Sequence, residues 1–346
     1  MNLAIVNEST MFTGLGRYAS DLAKATNASL FSLNLDSSIN VSKYPGKVVE
    51  FKPFLRIGNG WYLNHRFPSV FLRGIKDLIK NQITPETILH YASQGIPHLN
   101  LNNRYIYTVH DLFGLDSKYN DDSRLRKLLE MNFKHIVSAE GIITVSQYVK
   151  SQLHSLGVSG KVNVVYPPVS AGFKKLDDIS TARISLGLPE EKKLVLSVSS
   201  QDPRKNLKVV EKTMDLLGQD YALVRVGKPI GNCYAFNNID DEKLNLIYNA
   251  CDVLLFPSLD EGFGFPLAEA MTVGLPVVAS DIPIFHETAE NAAVLVEPTP
   301  EKLANGIKDA IDNGNIFGER GIIVAERYSF DHFREAITSV YNQILQ

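Results

Sequence analysis

The chain reads as an α/β protein built from two parallel-sheet domains. Three observations carry that reading: two successive series of short apolar strands separated by helical segments, a Pro-Pro step between the series, and a reversal of charge at the same place. Strands alternating with helical patterns are the mark of stacked βαβ units. At 346 residues the chain is long for one domain and comfortable for two. Residues 1–168 carry 18 Lys and Arg against 12 Asp and Glu, while residues 169–346 carry 17 against 26.

In the first series the strands are expected at Leu3–Val6, Leu30–Leu33, Val48–Phe51, Thr87–His90, Tyr105–Val109, Gly141–Val145 and Val162–Tyr166. Pro167-Pro168-Val169 then stops any helix and begins a stiff connector. The second series is expected at Lys193–Ser199, Ala222–Val226, Val253–Phe256, Pro276–Ala279 and Ala293–Val296. A last helix, from about Asp331 to Leu345, sets Phe333, Ile337, Val340, Tyr341 and Ile344 on one face. The expected division is therefore 1–168, 169–330 and a terminal helix at 331–346.

Composition narrows the classes. With 45% hydrophobic and 21% charged residues a sizeable core is expected. No apolar run reaches the length of a membrane span, and Met1–Asn7 is a short strand without a basic signal-peptide flank. Cys233 and Cys251 are too few for a disulfide framework or a zinc site, which fits a reducing, cytoplasmic setting. The basic excess of the first half is too dilute for nucleic acid. It leaves room for an anionic acceptor or membrane surface. Residues 54–80 mix aromatics with Lys and Arg, a composition shared by a core helix with a solvated loop and by a segment lying on an anionic membrane.

The most informative segment is Glu261-Gly-Phe-Gly-Phe-Pro-Leu-Ala-Glu269. It follows the apolar strand Val253–Phe256 and leads into a helix, with Pro266 suited to the first helical position, where a missing N–H costs nothing. Gly262 and Gly264 allow the backbone to approach a ligand, and free amides at a helix start favour an anion. The expected placement puts Glu261 on the strand-exit loop and Glu269 in the first helical turn. That placement does not suit a hydrolytic pair of carboxylates, which face each other across a sugar bond.

The spacing resembles the Glu-x7-Glu signature of retaining glycosyltransferase family four, which has the GT-B fold: two Rossmann-like domains facing across a cleft, with the C-terminal helix crossing back to the N-terminal domain. The resemblance implies that Glu261 recognises the transferred hexose and Glu269 the ribose of a nucleotide. It places the amides of Phe263, Gly264 and Phe265, and that of Leu267, near the sugar or the diphosphate. Asp202-Pro-Arg-Lys-Asn206 then resembles the family's diphosphate clamp, with Arg204 and Lys205 as the cations. Fixed cations stabilise the charge that develops on a departing nucleoside diphosphate. Relatives with a further arginine earlier in this loop differ from this chain, which has Ser199 and Ser200 there.

Gly14-Leu-Gly-Arg-Tyr-Ala19 matches a dinucleotide fingerprint, with Asp36 at about the ribose-binding distance, but Glu8–Thr13 separate it from the strand. The resemblance instead assigns Gly16, with Arg17, to a glycine-bearing loop touching the donor phosphate or the acceptor. His110 ends the strand Tyr105–Val109 and matches a histidine that hydrogen-bonds the donor hexose. Thr144-Val-Ser146 resembles a segment lining the cleft. Asp240 or Asp241 reads as a helix N-cap, and backbone from about Phe236 to Ile239 is expected to hold the base.

The expectation is a retaining hexosyltransferase using a GDP- or UDP-sugar, requiring no metal or other cofactor. A mannosyl donor is favoured because the Tyr166-Pro-Pro-Val169 junction resembles many mannosyltransferases, with a glucosyl donor next. A glycan or lipid-linked acceptor is expected. The alternatives are a GT-B-fold nucleotide-sugar epimerase, a dinucleotide enzyme, or a non-catalytic sugar-nucleotide-binding protein.

Overall fold

The computed structural model describes residues 2–7, 13–32, 48–50, 76, 77, 79–115 and 123–345. Most of the 54–80 segment, together with Asp36 and residues 8–12, lies outside these. The chain divides into two compact units, Met1–Pro168 with Phe330–Gln346, and Val169–Ser329.

The first unit holds seven parallel strands: β1 (Leu3–Asn7), β2 (Ser29–Ser32), β3 (Val48–Glu50), β4 (Ile88–Tyr91), β5 (Tyr105–Val109), β6 (Gly141–Thr144) and β7 (Val162–Val164). Their spatial order is β3-β2-β1-β4-β5-β6-β7. β1, β4 and β6 are buried along their full lengths, as strands covered on both faces must be. Helix α1 (Gly14–Thr26) starts where the Thr13 hydroxyl accepts from the Gly16 amide, and ends on Asn27 at φ 51°. Further helices among the described residues of this unit include α2 (Ser123–Val137) and α3 (Gln147–Ser155), the latter capped by Ser146.

The second unit has β8 (Lys193–Val198), β9 (Tyr221–Val226), β10 (Cys233–Phe236), β11 (Val253–Phe256), β12 (Val277–Ser280) and β13 (Val294–Val296). All are parallel in the order β10-β9-β8-β11-β12-β13. Its helices are α4 (Ile179–Leu186), α5 (Leu207–Leu217), α6 (Asp241–Ala250), α7 (Phe265–Thr272), α8 (Pro283–Ala289), α9 (Pro300–Asp312) and α10 (Gly314–Ala325). Val195, Leu223, Val253, Leu255 and Val278 from the sheet pack with Val210 and Leu217 of α5 and with Leu303 and Ile307 of α9. Each such side chain contributes roughly 1.5–3 kcal/mol on burial. β10 was not expected from the sequence. It is an edge strand whose Tyr234 and Ala235 are exposed, so it carries neither an apolar run nor a clean alternation.

The terminal helix α11 (Phe330–Leu345) packs on α1 and belongs to the first unit. Phe333, Ile337, Val340 and Tyr341 are buried there. A Cβ on Gly141 would stand 2.3 Å from Ile344 Cδ1, so a larger residue at the start of β6 would have to displace that side chain of α11.

Both sheets have the doubly wound order. The winding direction reverses between β1 and β4 in one unit and between β8 and β11 in the other. In such sheets the crevice at the carboxyl ends beside the reversal is where ligands collect.

Candidate functional site

In the second unit the two strands flanking the reversal each deliver one charged side chain. β8 exits through Ser199–Asp202 into a single 3-10 turn, Pro203–Lys205, and Asn206 at φ 55° redirects the chain into α5. The Asp202 carboxylate accepts from the Arg204 amide at 2.9 Å and pairs with its guanidinium at 3.1 Å. Arg204 also donates to the Asp260 carbonyl at 3.2 Å, and its own carbonyl accepts from the Leu259 amide at 2.8 Å. The loop after β8 is thereby fastened to the loop after β11.

The fastening brings Lys205 and Glu261 into a short, largely buried ion pair. Lys205 Nζ also lies 5.8 Å from the centre of the Phe256 ring. Two opposite charges taken out of water are costly unless well placed, so a buried pair at a strand-end crevice marks a position held for its chemistry.

Glu269 sits in the second turn of α7, not in the first as expected, because the helix begins at Phe265 with Gly264 as its N-cap. Glu269 is 2% exposed, and its carboxylate accepts from the buried Tyr248 hydroxyl of α6 at 2.7 Å. Tyr248 was not among the expected site residues; only its place on the buried face of α6 could have signalled it.

Gly264 has φ 95°, and a Cβ there would meet the Phe285 ring at 2.9 Å. Both the backbone twist and the space demand glycine. Phe263 is buried against Tyr328 and Phe265, and its carbonyl accepts from Thr288. The Leu267 amide, expected near the phosphates, donates to the Gly264 carbonyl at 3.0 Å, and its side chain is wholly buried. Its place is to anchor α7.

In the first unit His110 follows β5. Its Nε2 lies 2.8 Å from the Ala92 carbonyl, which can only accept, so Nε2 carries the proton and Nδ1 holds the lone pair. Gln94 Oε1 receives the His110 amide, and the Tyr18 ring stands edge-on at 4.7 Å. Burial pushes His110 down to about 4, so it is neutral near pH 7. Gly16, expected in a loop, lies instead in the first turn of α1, where its amide is taken by the Thr13 cap. Ser146 likewise caps α3. Asp240 is the N-cap of α6, accepting from the Lys243 amide.

Among the described residues no three or more His, Cys, Asp or Glu side chains gather as a metal-holding group. No helix of the described residues is long and apolar enough to cross a membrane. A cavity of about 480 Å³ lies between α5 and the β9–β10 edge, but none of the expected site residues lines it.

Residues 12–172 match the model of "Glycosyltransferase Family 4", and residues 178–322 match that of "Glycosyl transferases group 1". The chain belongs to this glycosyltransferase family. Among its relatives, the O-antigen chain mannosyltransferase RfbU of Salmonella typhimurium is 29% identical over 68% of this chain and 69% of its own. The O-antigen chain mannosyltransferase B of Escherichia coli is 23% identical over 73% and 74%. Among solved structures, Anabaena HepE in complex with UDP and glucose superposes with a TM-score of 0.80 at 18% identity, covering 99% of both chains. Sucrose-phosphate synthase from Thermosynechococcus elongatus gives 0.79 at 20% identity, covering 99% and 98%. The glycosyltransferase thus has the GT-B fold.

Proposed function

We propose that this glycosyltransferase is a retaining hexosyltransferase acting in glycan or polysaccharide synthesis, with a nucleoside diphosphate sugar as donor and a glycan or lipid-linked acceptor. The buried Lys205–Glu261 pair at the β8/β11 reversal, with a buried Glu269 further along the same segment, is the observation that carries this reading. A mannosyl donor is favoured by the two O-antigen mannosyltransferase relatives. A glucosyl donor is next, because HepE holds UDP-glucose.

In this reading Glu269 accepts hydrogen bonds from the ribose hydroxyls. Arg204 and Lys205 take the diphosphate, and the start of α7 at Gly264 and Phe265 turns its dipole toward it. Glu261, released in part from Lys205 by the incoming phosphate, accepts from hexose hydroxyls. In the first unit, to which acceptor binding is assigned, His110 Nδ1 is free of the ring proton and can accept from a sugar hydroxyl. The acceptor oxygen attacks the anomeric carbon on the face the diphosphate leaves. The bond from that carbon to the phosphate oxygen breaks as the new glycosidic bond forms, and the acceptor's proton passes to the departing phosphate. The positive side chains do the charge neutralisation, so no divalent metal is needed.

The test is a panel of GDP-, UDP- and ADP-sugars assayed by thermal shift and by product formation, with and without EDTA. GDP-mannose is expected to raise the melting temperature and to be turned over equally in EDTA, with retention at the anomeric centre. A ligand present at a hundredfold excess over its Kd stabilises by about 2.7 kcal/mol. If no sugar nucleotide shifts the transition and Glu269→Ala changes nothing, the reading is wrong.

A further inference from the structure

Arg225 heads the described side chains by volume among those wholly removed from water, and it stands in the otherwise apolar strand β9. In register it pairs with Ser197 of β8 and Ala235 of β10. By alternation it shares the sheet face of Leu223, which belongs to the core under α5 and α9. A cation therefore emerges from the core at the carboxyl edge of the sheet.

Its hydrogen bonds converge on one short segment. Nη1 donates to the carbonyls of Ser197 and Val226, each at 2.9 Å. Nη2 donates to the Ser199 carbonyl at 2.5 Å, the Ser199 hydroxyl at 3.1 Å and the Ser200 carbonyl at 3.4 Å. Nε is buried with no hydrogen-bond partner. Among the described residues no carboxylate forms an ion pair with this guanidinium. Gly227, at φ 129°, makes the approach possible, since a Cβ there would lie 2.4 Å from the Ser199 carbonyl oxygen and 3.0 Å from Arg225 Nη2.

For stability alone this is a poor use of the position, because an apolar side chain of similar length would fill it without desolvating a charge. What the guanidinium adds is a planar fork of directed bonds. Those bonds hold Ser197–Ser200, and that segment runs straight into Asp202, Arg204 and Lys205. We infer that Arg225 is a positioning residue for the diphosphate-binding loop: it fixes the exit of β8 so that Arg204 and Lys205 are presented in register, and its own charge, balanced only by carbonyl dipoles, adds to the positive potential there. The inference rests on the proposed role of Arg204 and Lys205. It also gives Ser199, which stands where relatives differ, a definite job as a side-chain partner of Arg225.

The test is calorimetric titration of GDP, GMP, UDP and UMP into the wild type, Arg225→Met, Arg225→Lys, Ser199→Ala and Lys205→Ala. The readout is the preference for the diphosphate over the monophosphate of the same nucleoside, a ratio that does not depend on the folded fraction. A displaced clamp is expected to lower that preference by about tenfold in Arg225→Met, with monophosphate affinity kept. Arg225→Lys keeps the charge but loses the fork, so its preference should fall by more than about twofold, and Ser199→Ala should stay within about twofold of wild type. A preference within about twofold of wild type in both Arg225 variants overturns the inference, whatever their melting temperatures. If Arg225→Met does not fold, Arg225→Lys decides by the same threshold. Lys205→Ala separates the two ideas: if it abolishes the preference while the Arg225 variants keep it, only the positioning role fails. If it keeps the preference too, or if the wild type binds neither diphosphate, the proposed donor site fails with it.

Discussion

Tyr248 presents its hydroxyl to Glu269 at 2.7 Å inside a site that is closed to water on both partners. A buried carboxylate deprived of a donor carries a desolvation penalty of about 1–3 kcal/mol. Tyr248→Phe removes that donor and nothing else of comparable size. If Glu269 is the ribose ligand, loss of this hydrogen bond shifts how its carboxylate is held, and donor KM should rise by about tenfold while kcat changes little. Steady-state kinetics with varied donor check this; a variant with unchanged KM and a lower kcat would separate Tyr248 from the nucleotide. Glu261 is different in kind, because its partner is a cation, Lys205, for which the diphosphate would compete under the proposed function. Its pairing with Lys205 keeps both side chains in place before the donor arrives, which is preorganisation supplied by a salt bridge.

At the level of elements, β4, β5, α1 and α11 meet in a buried polar chain. His90 Nδ1 bonds the Tyr341 hydroxyl, His90 Nε2 bonds Thr108 Oγ1 at 2.7 Å, and Thr108 Oγ1 also bonds the Tyr18 hydroxyl at 3.0 Å. Tyr18 in turn packs edge-on against His110. Burial first, and then the neighbouring His110, pushes His90 down to about 3, while burial pushes His110 to about 4. Both lie below the ordinary value near 6.5, so the unfolded chain binds more protons than the folded one between about pH 6.5 and pH 4. Stability contributed by these histidines is complete above that window and is lost as the pH falls through it. Each histidine contributes a slope of up to about 1.4 kcal/mol per pH unit. Denaturant titrations from pH 7 to 4.5 should show His110→Asn with a shallower loss than wild type; parallel curves would rule the titration out.

The same elements show what was legible beforehand. Strands such as Val253–Phe256 and Tyr105–Val109 were readable because an apolar run bounded by turn residues has few other fates. β10 was not, since an edge strand needs no apolar pattern. The Glu-x7-Glu spacing pointed to the second unit's candidate site, but sequence distance alone placed Glu269 one turn too early. Arg225 had a signal, a lone charge within Ala222-Leu-Val-Arg-Val226, whose meaning depends on carbonyls brought in from β8. The segment from Gly14 reads as the opening of a helix, but the Thr13 cap that occupies the Gly16 amide was equally hidden.

For the molecule as a whole, the first unit is discontinuous: α11 follows the entire second unit in sequence yet packs on α1. Removing Phe330–Gln346 would uncover the seats of Phe333, Ile337 and Tyr341 and leave His90 without its Tyr341 partner. Losing three such side chains costs about 2–5 kcal/mol apiece in a core. The truncated chain should therefore lose the first unit's melting transition while the second unit's transition persists, as differential scanning calorimetry or limited proteolysis would reveal. Two intact transitions in the truncated chain would contradict this.

That discontinuity also sets an order in time. A ribosome releases Val169–Ser329 as one uninterrupted stretch, with every strand of its sheet already emerged, before α11 exists. The second unit can thus close during synthesis, whereas the first must wait for α11, holding the faces of α1 and β6 uncovered until then. During translation the exposed, aggregation-prone intermediate is the unit whose strands emerge ahead of the second unit.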